Sequence, residues 1–496
     1  MRKNIFFILF LSVFNLSAQK RDNTWILGYY AGEPGPTEDT LFGIQRIFFD
    51  NTLNITKKSQ LKIQINEGNA NISDKEGNLL FFSNGENLFN KNLDLANGEN
   101  NINWDSTTFL TAKSTPQICL FLPFPADESK TLFFSKKLAV LKVGSSKRII
   151  NPELNLAILQ NQGVNGLGEV ITRRINVLKD TLCEGKITAV KHGNGRDWWM
   201  VIQRYLDNKY YKILVNHIGV RVNDLQEIGI DKTSLDGQAV FSPDGKFYVN
   251  YDCITQIKDP HLTIFDFDRC TGQLSNPRNI FYDKEISIGG VAVSPNSRFL
   301  YASFYGVLMQ YDLWAKDIAA SKKDVALYDY AISGTNFYLA QLAPDGKIYM
   351  STNGASPYLH VINNPDEEGT ACNFKLRGLK LPYYNAWGIP NHPNYRLGAL
   401  KGSPCDSLGI VAVQELKEEN FKVYPNPASD ILNIELPLSM SSATILLRDI
   451  QGRLLKSIAA KGATQIDISD LYNGLIFVEI WSENRRIATK KVIIMN

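Results

Sequence analysis

The sequence predicts an all-β chain: a β-propeller of about seven blades followed by a small Ig-like β-sandwich. Three observations carry that reading. One pattern recurs, as AVFSPDGKFYVNYD (239–252), AVSPNSRFLYAS (292–303) and QLAPDGKIYMST (341–352). The segments around each copy alternate apolar and polar residues with period two, and none has a helical period. Aromatic residues make up 11% of the chain, with 21 Tyr and 26 Phe, and flat rings pack well on pleated sheet.

Each unit reads as four short strands. In the first, AVF leads into a turn where Pro243 presets φ, Asp244 follows, and Gly245 tolerates φ > 0. KFYVNYD then places Phe247, Val249 and Tyr251 on one face and Tyr248 and Asn250 on the other. HLTIFDFD and RNIFYD complete the unit. The next two units repeat the order, with turns at Pro295 and at Pro344-Asp345-Gly346. Upstream, ITAVKHGNG with DWWMVIQ, NANISDKEG with NLLFFSNG, and ICLFLPFPADES with TLFFSKK fit the same scheme. The turn markers Gly77, Lys130, Gly195, Gly245, Ser297 and Gly346 fall at intervals of 53, 65, 50, 52 and 49 residues. Such spacing marks propeller blades, which bury both faces only by stacking around a ring. Six internal units and one blade shared by residues 24–50 and 383–400 give seven.

After Arg396 the composition changes. LGALKGSPCDSLG reads as a boundary, so the propeller is placed at 24–400, a linker at 401–420 and a second module at 421–496. There Leu432, Ile434 and Leu436 point one way and Asn433 and Glu435 the other. Seven short strands in the tail suggest a compact sandwich.

The first nineteen residues, MRKNIFFILFLSVFNLSAQ, combine a basic start, an apolar run and a small-residue cleavage region, so residues 1–19 read as a secretory signal peptide. No later stretch is long and apolar enough for a permanent membrane span. Net charge is +3, or +1 without Arg2 and Lys3, and no basic block suggests nucleic acid. Six cysteines permit disulfides in an exported chain. Cys253 and Cys270 are out of register for a bridge, and the pairing is otherwise left open.

The runs TLCEGKITAVKHGNGRDWWM, FDFDRCTGQLSNP, GGVAVSPNSRFLYAS and FYLAQLAPDGKIY resemble a propeller family of secreted bacterial proteins with WD40-like or YVTN-like blades. That resemblance implies the fold and export but supplies no active site. The tail resembles the type A C-terminal sorting domain of the type IX secretion route, through Tyr424-Pro425-Asn426-Pro427, Asp430-Ile431-Leu432-Asn433-Ile434, Asp449 with Gly452, Leu471 with Gly474, and Lys490-Lys491-Val492-Ile493-Ile494. Ile476 with Phe477 departs mildly from the family, which more often has its aromatic one position earlier. The resemblance implies export through the periplasm to an outer-membrane translocon, and release or surface attachment.

Catalytic motifs are not found, and no catalytic residue, cofactor or metal is assigned. There is no G-x-S-x-G elbow and no close His pair. His192, His217, His261, His360 and His392 lie far apart in sequence and read as surface or packed residues unless the ring gathers them at its axis. Gly166 and Gly168 mark a turn, not a dinucleotide cradle. Asp266 and Asp268 resemble a calcium loop only loosely. Trp198 and Trp199 face opposite sides of one strand, so one belongs to the core; the other suits inter-blade packing more than sugar stacking. The favoured function is an exported binding or scaffold module for a glycan or a surface protein, since function lives on propeller loops. The alternative is a polysaccharide hydrolase or lyase with two acids, or an acid with Tyr or His, converging in the funnel.

Overall fold

The computed structural model describes residues 19–29, 41–50, 52–59, 65–98, 115–143, 146–231, 237–252, 261–282, 289–304, 306–406, 421–436, 442–449, 453–482 and 485–495. All but the last residue of the 1–19 stretch that reads as a signal peptide, together with Cys253, Gly452 and most of the linker, therefore lie outside the described residues. Two compact units divide at Asp406 and Ser407. No helix among the described residues is long and apolar enough to cross a membrane.

The described residues of the first unit build seven antiparallel sheets, each contiguous in sequence. Blade 1 holds Thr24–Tyr29, Gly43–Phe49 and Leu53–Ser59; blade 2 holds Ala70–Ser73, Leu79–Ser83 and Leu88–Asn90. Blade 3 holds Cys119–Pro123, Lys130–Val143, Ser146–Gln160 and Glu169–Leu182. Its strands of 14 and 15 residues account for the long interval of the repeat. Blade 4 runs from Thr188–Lys191 to Val220–Glu227, and blade 5 from Gly237–Phe241 to Leu274–Ile280. Blade 6 runs from Val291–Val293 to Lys323–Leu327, and blade 7 from Phe337–Leu342 to Phe374–Ala386.

Adjacent blades share apolar cores, which is how a sheet with two oily faces covers both. On the second strand of blade 5 (Phe247–Asp252), Val249 and Tyr251 pack toward blade 6, while Tyr248 packs toward blade 4. Asn250, on the blade 4 side, donates to Gln203 Oε1 at 2.7 Å. Trp198 and Trp199 divide in the same manner. Trp198 joins the core of blades 2 to 4, and Trp199 the core between blades 4 and 5. Both are buried, so neither is offered to a sugar.

Closure differs from the shared blade that the sequence suggested. Among the described residues blade 1 is made from 24–59 alone, and the ring closes by face packing. Trp25, Leu27, Ile47 and Phe49 of blade 1 form one core with Tyr349, Leu359, Val361 and Leu381 of blade 7. The Gln45 side chain adds a polar stitch, donating to Tyr383 O at 3.1 Å and accepting from Tyr383 N at 3.1 Å. Residues 387–400 add no strand. A disulfide joins Cys270, in the turn after the third strand of blade 5 (Leu262–Phe267), to Cys405, while Cys119, Cys183 and Cys372 are buried and form no disulfide among the described residues.

The second unit is a sandwich of seven strands. One sheet pairs Lys422–Tyr424, Ile431–Glu435 and Ala463–Asp467; the other pairs Leu454–Ala460, Ala443–Asp449, Gly474–Ser482 and Arg485–Ile494. Leu432, Ile434 and Leu436 are buried against Ile445, Leu447, Val478, Ile480 and Val492.

Candidate functional site

Residues 387–400 do not lie at the rim of the ring but thread its axis. Asn391 donates its side-chain amide to Cys119 O and Ile187 O, both at 2.9 Å, and its backbone amide to Asn69 O at 2.9 Å. Tyr395 donates to Phe121 O at 2.8 Å, and Asn394 to Pro243 O at 2.8 Å. Arg396 holds Asp22 at 2.5 Å and Asn23 at 2.9 Å. The chain then leaves beside blades 4 and 5, where Leu400 N meets Gly193 O at 2.7 Å before the disulfide. One segment thus touches blades 1 to 5, and Gln341 of blade 7 reaches His392 O at 3.3 Å.

Beside this axial segment a cavity of about 270 Å3 opens where the first strands of blades 5, 6 and 7 end. Pro243, Pro295, Pro344 and Gly346 form its rim, so several of the repeated turns frame the mouth. Asp244, Gly245 and Asp345 do their work in the turns themselves. The Asp244 and Asp345 carboxylates each accept a backbone N–H two residues on, at 3.1 Å. Gly245 has φ +73°, and a Cβ there would stand 2.7 Å from Arg269 Cδ. Val240, Val293 and Leu342 give the cavity an apolar wall; Gln117, Thr188, Asp22, His392 and Arg396 give it a polar one.

Two atoms in that polar wall are unusual. Asp22 Oδ1 and His392 Nδ1 are buried and have no hydrogen-bond partner among the described residues. His392 Nε2 lies 2.9 Å from Asn71 O, so Nε2 carries the proton and Nδ1 is a bare acceptor. Burial pushes the His392 imidazole down to about 4, against a smaller upward pull from Asp22. A buried acceptor left unpaired costs about 1–3 kcal/mol, so the site favours a ligand that brings donors.

The remaining histidines are not gathered there. His360 donates from Nε2 to Thr335 O at 2.9 Å and accepts Arg377 N at Nδ1 at 3.0 Å. His192 lies against Cys270 O, and His217 against Arg196. His261 is buried between blades 5 and 6 beside Tyr282 and Phe304. Asp266 pairs with Arg278 while Asp268 closes its own turn, and no metal-binding group of three His, Cys, Asp or Glu occurs among the described residues.

His360 and His392 make the ring acid-sensitive. Burial holds both near 4, against about 6.5 in an unfolded chain. The unfolded state therefore binds protons first as pH falls through 6.5, and folding stability drops until the folded groups titrate near 4. The expected loss by pH 4.5 is roughly 2–3 kcal/mol per histidine. Urea unfolding at pH 7 and pH 4.5 measures it, and His360→Gln should remove about half of the histidine contribution. Equal pH dependence in wild type and variant would refute the assignment.

In the tail, the Tyr-Pro-Asn-Pro motif ties the first and last strands of the sandwich. Asn426 donates from Nδ2 to Lys491 O at 3.0 Å and accepts from Ile493 N at 2.9 Å. Ala428 continues the bridge to Ile493 O at 2.9 Å. Tyr424 donates to Glu435 at 2.6 Å. Pro425 and Pro427, which cannot donate, occupy the connection between strands where no ladder bond is lost. Asp430 O accepts Ile468 N at 2.8 Å, Gly474 opens the strand that pairs with Ile494, and Lys491 stands exposed opposite Phe477. Of the pair that departs from the family pattern, Ile476 is buried in the core and Phe477 half-buried.

A family model described as the secretion system C-terminal sorting domain matches residues 422–495. No curated protein matches the chain. Among solved structures, the chain is similar to a functionally unknown protein from Desulfotomaculum acetoxidans, at 15% identity over 75% of this chain and 99% of that one, with a TM-score of 0.36. It is also similar to two proteins each named "putative 6-phosphogluconolactonase". The one from Bacteroides uniformis has 13% identity over 90% and 98% of the two chains, TM-score 0.38. The one from Bacteroides fragilis has 11% identity over 74% and 98%, TM-score 0.41. At these values the likenesses say nothing of activity. Residues 422–495 are a secretion system C-terminal sorting domain, and the all-β chain that carries them is secreted by the type IX system to the cell surface or extracellular space.

Proposed function

We propose that the chain is an exported binding protein whose axial cavity takes a small polyhydroxylated ligand, a sugar. The observation that carries this is the pair of unpartnered buried acceptors, Asp22 Oδ1 and His392 Nδ1, on one cavity wall. Sugar hydroxyls are donors that suit both, and the faces of a sugar ring suit Val240, Val293 and Leu342, which also line the cavity. Arg396 pairs with Asp22 and orients its carboxylate, which is a binding arrangement.

The rival reading is a hydrolase or lyase. A glycosidase needs two carboxyl groups about 5–10 Å apart, and Asp22 is the one carboxylate among the described residues lining this cavity. Asp22 with His392 would be the minimum for elimination. A base held near 4 is poorly matched to neutral pH, where a catalytic base works best close to the operating pH.

The test is calorimetry of the purified full chain against neutral mono- and disaccharides, with turnover followed on the same panel and on polysaccharides. Asp22→Asn should weaken the best binder about tenfold, as loss of a charged hydrogen bond does. Catalytic turnover, or unchanged affinity in a folded Asp22→Asn protein, would overturn the proposal.

A further inference from the structure

A second site, away from the axis, is marked by an arginine without an acid. Arg46 sits on the central strand of blade 1 (Gly43–Phe49), opposite Ile26 and Thr56. Strand alternation sends Ile47 and Phe49 toward blade 7. It sends Ile44, Arg46 and Phe48 the other way, and Ile44 packs with the apolar residues of blade 2. Blades 1 and 2 have three strands each among the described residues. Between them a cleft of about 420 Å3 opens, lined by Arg46, Phe48, Asn78, Lys91 and Asn92 among others, with no carboxylate among the described lining residues.

Among the described residues, the charges of this cleft have no acidic partner. Arg298, Arg377 and Arg396 are paired with Asp312, Asp329 and Asp22, and Arg269 fills its fork with three carbonyl oxygens. Arg46 has one long bond, from Nη2 to Lys91 O at 3.4 Å, and its Nε is buried with no partner among the described residues. Neither Arg46 nor Lys91 forms an ion pair with a described residue. Burial lowers the proton affinity of Arg46, as expected of a cation withdrawn from water without a counter-charge.

A planar guanidinium whose Nε has no partner among the described residues, an exposed lysine lining the same cleft and a half-buried aromatic ring on the same strand face form a recognisable combination. The first two bind an oxyanion, the guanidinium by a two-bond fork. The ring of Phe48 offers an apolar surface to the body that carries the anion. We infer that the cleft between blades 1 and 2 binds an acidic sugar, its carboxylate or sulfate on Arg46 and Lys91 and its ring against Phe48.

The experiment is calorimetric titration of the full chain with glucuronate, glucose 6-sulfate and glucose at low and high salt. Binding is expected for one or both anions, at least tenfold tighter than for glucose, and weakened by salt. Arg46→Gln should reduce anion affinity about tenfold or more, and Lys91→Ala, at an exposed position, about threefold. Arg46→Lys should recover only part of the loss, because an ammonium lacks the fork. If Arg46→Gln fails to fold, Lys91→Ala decides the matter. Anions binding no better than glucose, or a folded Arg46→Gln or Lys91→Ala protein with unchanged anion affinity, would overturn the inference.

Discussion

Deleting residues 422–495 is expected to remove the chain from the cell surface and the medium and leave it inside the outer membrane, with the ring still folded. The sandwich has a core of its own, from Phe421 to Ile494, and shares none of its buried residues with the cores of the blades. The deletion therefore removes a module with its own core and leaves the core residues of the blades in the chain. A smaller lesion grades the effect. Asn426→Ala breaks both bonds that fasten the first connection to the last strand, a cost of roughly 1–3 kcal/mol. A module of about seventy-five residues has little stability to spare, so export of the point variant should fall with rising temperature while the deletion is null at every temperature. Fractionation with an antibody against the ring measures both. A truncated chain that reaches the medium at the wild-type level would sink the sorting assignment.

What the sequence made legible follows from how local each signal is. The turn at Pro243-Asp244-Gly245 is written in adjacent residues, and so is the alternation from Phe247 to Tyr251, so the blades could be placed in order. The sandwich was legible for the same reason, in Leu432, Ile434 and Leu436. The axial segment was not. Asn391 satisfies carbonyls of Cys119 and Ile187, 272 and 204 residues away, and Arg396 answers Asp22 across 374 residues. Nothing periodic marks NHPNYR, because its side chains answer backbone groups of other blades and not their own neighbours. By sequence, residues 383–400 therefore read as part of a shared blade, whereas the ring closes on Trp25 and Phe49 packed against blade 7. Arg46 was equally silent, since an unpaired charge is visible only once the absence of an acid around it is visible. The Cys270–Cys405 bridge belongs with these, spanning 135 residues between a hairpin turn and the exit of the axial segment.

The axial segment carries the second large effect, through Asn391. This residue is buried, and it links the inner strands of blades 2, 3 and 4 by four hydrogen bonds. Its backbone amide goes to Asn69 O, its Nδ2 to Cys119 O and Ile187 O, and its Oδ1 accepts Gln117 Nε2 at 3.2 Å. Asn391→Ala deletes the three side-chain bonds. Gln117 keeps Ala239 O as a second acceptor at 2.9 Å, so the damage falls on the two carbonyls, at about 1–3 kcal/mol each. A loss of roughly 3 kcal/mol is expected. Asn391→Asp is the sharper test, because it preserves shape and removes donors. An ionised carboxylate would aim an oxygen at two carbonyl oxygens in a buried site, so Asp should be at least as damaging as Ala at pH 7. The deficit of the Asp variant should shrink as its carboxyl is protonated, against the acid loss from the histidines that both variants share. Comparing the two variants at pH 7 and pH 5 isolates the donor role of Asn391 from its volume. If Asp is tolerated at pH 7 as well as Asn, the axial segment merely fills space, and the blades hold their ring without it.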